Sequence, residues 1–150
     1  MRSPDLAQDY IRRAAIRLRA LEVLFEGESW ADVVRESQEI VELALKALVR
    51  ASGIDPPRVH DLSGLLRSER ARLPEALEPE LEALAEISRQ LRRDRELAFY
   101  GAEDLTPSEF YTRSDAERAR SGARRTVDLV EPHVPAAARD QAAEGRRDEA

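Results

Sequence analysis

The stretch SWADVVRESQEIVELALKALVRASG, residues 29–53, decides the fold class. Trp30, Val34, Ser37, Val41, Ala44 and Leu48 recur at alternating spacings of four and three, and Val33, Ile40, Leu45 and Ala47 widen the stripe. That period predicts an amphipathic α-helix burying one broad face. Ser29 stands where an N-cap belongs and Gly53 where such a helix stops.

Working outward, Ser3-Pro4 has the form of an N-cap with proline in the first turn, and Asp5 suits the positive end of the helix dipole. Leu6, Tyr10, Ala14, Leu18, Leu21 and Phe25 then mark a first helix carrying Arg12, Arg13, Arg17 and Arg19, with Gly27 as its stop. Two long helices joined by so short a connection must lie antiparallel and bury their stripes against each other. Beyond residue 53, Ile54-Asp55-Pro56-Pro57 breaks the helix, because each proline removes a backbone donor and restricts the residue before it. A short helix is expected from Leu62 to Ala71, and a fourth, marked by Leu81, Leu84, Leu91 and Ala98, ends near Tyr100-Gly101. Residues 104–113 read as a loop. Ser114 is then expected to cap a fifth helix with Ala116, Ala119, Ala123, Val127 and Val130 on its inner face. No stretch has a strand pattern. The reading is an all-α, up-and-down bundle of four to five helices over residues 1–132, with 133–150 as a frayed polar tail.

Composition narrows the function. The 150 residues contain no cysteine and two histidines, which excludes disulfides and thiolate metal sites and makes no case for a metal or other cofactor. A net charge of −6, with 36% charged residues, does not suit a protein that coats nucleic acid, although a local basic patch still binds phosphate. No run is apolar enough to span a membrane, and the N-terminus lacks the pattern of a secretory signal, so a cytoplasmic location is expected.

The chemistry that remains is polar and local. Arg95 falls four residues after Leu91 and eleven after Leu84, in line with the apolar seam of the fourth helix. A guanidinium there needs a carboxylate or an anionic ligand, because an unpaired buried charge costs several kcal/mol. Arg89, Arg92, Arg93 and Arg95 lie within two turns and Tyr100 follows, a set suited to phosphate oxygens and to stacking. The alternative is a structural salt bridge for Arg95 and a solvated face for Arg92 and Arg93, paired with Glu86, Asp94 and Glu96. On the second helix, Gln38, Glu42 and Lys46 form a ladder at spacings of four, readable as an ordinary surface pair or, with Glu39, as the source of a partner for Arg95. His60-Asp61 follows the double proline, where Asp61 can cap the short helix. His60 either hydrogen-bonds the turn or serves acid–base chemistry.

Several of these stretches together resemble the HEPN family of small helical bundles. They are Ala14 to Leu24, Ser37 to Leu48, Pro57 with His60-Asp61-Leu62 and Leu65-Leu66, Arg95 to Gly101, Phe110-Tyr111-Thr112, and Asp115-Ala116. The resemblance spans roughly residues 5–130. It implies a helical bundle, commonly a homodimer, often paired with a minimal nucleotidyltransferase in toxin–antitoxin-like modules. Many members are metal-independent ribonucleases that use an arginine and a histidine four to six residues apart, the ribose 2′-hydroxyl attacking the adjacent phosphate. Arg95 matches the arginine, whereas Tyr100 stands where the histidine belongs. A phenol with a pKa of about 10 is a poor general base, so binding survives that replacement better than cleavage does. His60 is the candidate substitute base if it reaches the same cleft. The implied function is binding of a nucleotide or single-stranded RNA, with ribonuclease activity as one alternative and a protein-interaction module, docking through helices 1 and 2, as another.

Overall fold

The structure is a computed structural model that describes residues 3–100 and 107–135, with side chains for residues 5–94 and 109–135. Six α-helices are present among the described residues: α1 (Ser3–Glu26), α2 (Trp30–Ala51), α3 (Ser63–Ser68), α4 (Leu81–Tyr100), α5 (Pro107–Phe110) and α6 (Arg113–Val130). They contain no strand.

Helix α2 is the centre of the bundle. It packs most extensively on α1, next on α6 and then on α4. This explains why its buried set, from Val33 through Val49, runs around most of its circumference. Leu45 and Leu48 are wholly enclosed, each worth about 1.5–3 kcal/mol of transfer free energy. Against it α1 presents Ala7, Ile11, Ala14 and Leu21, where small residues let the two backbones approach. The expected contact residues Leu6 and Tyr10 are only half-buried, because the helix is rotated to put Ala7 and Ile11 inward. Little of α2 is left exposed for a partner to dock on.

The elements end where local chemistry dictates, not always at the expected residue. After α1 the left-handed position is taken by Glu28, with φ +57°, and not by Gly27. Backbone bonds from Ser29 to Leu24 and from Glu28 to Phe25 close the turn. Gly53 does take that conformation after α2, at φ +79°. Ser29 stands at the N-cap of α2, but its hydroxyl donates to Asp32 at 2.6 Å and does not cap the backbone. The short helix is shorter than expected and gives way to a 3-10 turn over Arg70–Arg72. Pro107–Phe110 forms a helical turn inside the expected loop.

Thr112, not Ser114, caps α6. Its hydroxyl accepts the Asp115 N–H, and the Asp115 carboxylate accepts the Thr112 N–H at 2.9 Å, a reciprocal capping box. The inner residues of α6 are those the period marks, from Ala116 to Val130. Arg120 lies over the Phe25 ring and, with Arg124, pairs Glu22, tying α6 to α1. Past α6, a 3-10 turn over Glu131–His133 leads to Val134, which is buried in the core. The rest of the expected tail, 136–150, lies outside the described residues.

Candidate functional site

A polar cluster is built on the inward edge of α2. The Glu42 side chain is only 11% exposed, and its carboxylate is engaged from three sides. Gln38, itself buried, donates Nε2 to Oε2 at 3.0 Å, and Lys46 donates Nζ to Oε1 at 2.8 Å. His60 Nδ1 lies 3.0 and 3.1 Å from the two oxygens. Burial acts against the charged carboxylate, but hydrogen bonds from Lys46 and His60, and their charges, outweigh it and hold Glu42 below its ordinary range. An ionised carboxylate only accepts, so Nδ1 must carry the proton. Nε2 is the ring nitrogen not used in this contact, and the His60 side chain is 57% exposed.

The chain reaches this position because the segment carrying His60 is pinned to α4. The buried Leu62 N–H donates to Ser88 Oγ at 3.0 Å, and Asp61 Oδ1 accepts the Ser63 N–H at 2.9 Å. Asp61 thus serves the first turn of α3, while Leu62 occupies the cap position. His60 does not bond the turn that holds it; it reaches across to α2.

The arginines of α4 divide. Arg89 is exposed and forked onto Glu86, a pairing that lowers the Glu86 pKa and raises that of Arg89. The charge of Asp61 acts only weakly at both residues. Arg92 is half-buried and not without a partner, and Arg93 is exposed. Arg95 and Tyr100 belong to α4 by their backbone, while their side chains lie outside the described residues. Arg95 follows Ser88 by seven residues, so it holds nearly the same angular position about 10 Å farther along the axis. Tyr111 pins this part of α4 by donating its hydroxyl to the Asp94 carbonyl at 2.8 Å.

Glu39 is half-buried and not free of partners, and the Glu42 oxygens are taken by Gln38, Lys46 and His60. The pairing of Glu42 with His60 is what sequence reasoning missed. The only signal for it was a carboxylate lying beside a broad apolar stripe, which must find donors. Among the described residues no group of three acidic, histidine or cysteine side chains is disposed to hold a metal ion. No helix among them is long and apolar enough to cross a membrane. A groove of about 350 Å³ runs between α4 and α6, floored by Ile87, Leu91, Ala119 and Gly122.

A family model described as the HEPN domain matches residues 7–133. The crystal structure of an archaeal HEPN homologue superposes with a TM-score of 0.66 at 23% identity, covering 86% of this chain and 98% of that one. At that identity the likeness speaks for the fold. No curated protein matches the chain.

Proposed function

Because the chain belongs to the HEPN family, we propose that it binds nucleotide or single-stranded RNA phosphate where α4 meets the His60–Asp61 segment. The reading includes a cytosolic homodimer working beside a nucleotidyltransferase partner in a toxin–antitoxin-like module. The observation that carries it is the run of Arg89, Arg92, Arg93 and Arg95 on α4, the helix to whose Ser88 the His60–Asp61 segment is fastened through the Leu62 N–H. Guanidinium forks match phosphate oxygens in pairs, and by the helical period Arg95 lies about a third of a turn around α4 from Arg89 and about 9 Å farther along its axis. Binding of this kind needs no proton transfer, so the tyrosine at position 100 does not count against it.

The test is thermal unfolding of the full chain with and without ATP, AMP or a single-stranded RNA oligonucleotide. A ligand at about a hundredfold its Kd adds about 2.7 kcal/mol to stability, and Arg95→Ala is expected to abolish that gain. Equal stabilisation of wild type and Arg95→Ala rejects this site. A second reading, a metal-independent ribonuclease, is favoured by one specific observation, the Glu42–His60 pair.

A further inference from the structure

We propose that the outer face of α1 is a docking surface and that its occupant is the C-terminal segment of this same chain, residues 136–150. The proposal is independent of the phosphate-binding reading above and uses none of its residues.

The face is an alternation of cations and apolar groups. Arg12, Ile16, Arg19 and Val23 follow one another at spacings of four, three and four, which keeps them within about 60° on one side of α1. That side is turned outward: Ile16 is 54% exposed and Val23 69%. Single exposed apolar residues are ordinary on a protein surface, but here two share one stripe with unpaired charges. Arg13 and Arg17, on the same helix, pair with Asp9 and Glu36. Arg12 and Arg19 are exposed and form no ion pair among the described residues. Beside the stripe runs a groove of about 610 Å³, lined by Ile11, Arg12, Ile16 and Arg19 from α1 and by Glu131 and Val134 from the turn after α6. Such a surface fits a segment that brings small apolar side chains and carboxylates together.

The chain supplies that segment at the edge of the groove. Val134 lines the groove and is buried, so residues 136–150 start beside it and need no linker to reach α1. In their sequence Ala136, Ala143 and Ala150 recur every seven residues, and Asp140, Glu144 and Asp148 every four. On a helix the alanines form a narrow apolar stripe beside the acidic one. Asp140 and Asp148 would then stand about 12 Å apart along the axis, against about 10.5 Å between Arg12 and Arg19. Carboxylates at spacings of four repel one another in an isolated helix, and about fifteen residues make only a marginal helix in water. The cations of α1 relieve that repulsion, so docking and helix formation support each other. Glu131, the acidic member of the groove lining, stands where the segment leaves, and Arg139 is the first arginine to follow it.

The experiment uses the full chain. Because it contains no cysteine, Ala143→Cys takes a single nitroxide label. The expected result is paramagnetic broadening of the ¹⁵N amide signals of α1 from Arg12 to Val23, with those of α3, which packs against α4, unaffected. Dilution with an excess of unlabelled chain leaves the broadening unchanged, because the contact lies within one molecule. Arg12→Glu combined with Arg19→Glu lowers the docked-to-free ratio by about 5–30-fold, the effect of two exposed ion pairs. Adding Asp140→Arg and Glu144→Arg to that variant restores the broadening. The substituted arginines are exposed, so the variants keep the wild-type fold, which their own amide spectra check. Absence of broadening on α1, or broadening that survives the charge reversal, overturns the proposal. Broadening seen only between a labelled chain and a separate ¹⁵N chain also overturns it and makes the stripe a contact between copies.

Discussion

The backbone N–H of Leu62 donates to the hydroxyl of Ser88 at 3.0 Å, and this bond, with that from Ser88 Oγ to Asp61 Oδ1 at 3.5 Å, fastens the chain after the double proline to the middle of α4. Both residues are buried, so neither group has water as an alternative. Ser88→Ala is expected to leave the Leu62 N–H unsatisfied and to destabilise the fold by about 1–3 kcal/mol. A lower denaturant midpoint with an unchanged m-value checks this.

Stability should fall in acid through Glu42. Its carboxyl is held below the ordinary value of 4.5, so the folded state binds its proton less readily than the unfolded chain does. The stabilisation is complete above pH 4.5 and is lost as pH falls through the lower folded-state value. In Glu42→Gln that part of the acid dependence should disappear, as chemical denaturation between neutral pH and pH 3 will read. An acid limb identical in wild type and variant rejects the assignment. Glu42→Ala should also cost about 1–3 kcal/mol at neutral pH, because the hydrogen bonds that Gln38 and Lys46 donate to the carboxylate are lost.

The capping box at the start of α6 gives a local prediction. Thr112→Ala removes the hydroxyl that accepts the Asp115 N–H, at a cost of about 1 kcal/mol. Burial disfavours the Asp115 charge, but the Thr112 N–H and hydroxyl and Arg118 outweigh that and lower its pKa. The contribution of Asp115 is therefore present above the ordinary value of 3.8 and fades as pH drops below it. Ser114→Ala, the same change at the residue beside it, should move the melting temperature by much less.

Glu28 occupies a left-handed conformation between α1 and α2, which costs a side-chain-bearing residue about 1–2 kcal/mol. Glu28→Gly should raise stability by up to about 1 kcal/mol, after the greater freedom of glycine in the unfolded chain is subtracted. Calorimetry showing a lower melting temperature would falsify this account of the turn.

Arg95→Lys keeps the charge but loses the fork. If phosphate is held bidentately, the lysine variant should behave like Arg95→Ala in ligand-induced stabilisation and not like wild type. Restoration of binding by lysine would instead mean that the site needs only a point charge.

The helices were legible in the sequence because helix formation and burial are periodic and local. The spacing of Val34, Val41 and Leu48, or of Ala116, Ala123 and Val130, is set within one element, and these residues are buried. The all-α class and the family resemblance followed from such stretches. Rotation was less legible: α1 turns Ala7 and Ile11 inward because the opposing surface of α2 decides which of two neighbouring stripes packs better. Caps shifted by a residue or two for a similar reason, since Thr112 and Ser114 are chemically alike and only the path of the chain chooses between them. The candidate site was the least legible part. Gln38, Glu42 and Lys46 were visible as a ladder, but nothing local relates Glu42 to His60, eighteen positions away across a double-proline turn. That contact depends on where Ser88 holds Leu62, a meeting of α2, α4 and the intervening segment. Sequence by itself determined the elements and their inner faces. Tertiary structure alone decided which buried carboxylate stands behind which histidine, because a charge in the core takes its partner from whatever the packing of separate helices brings within reach.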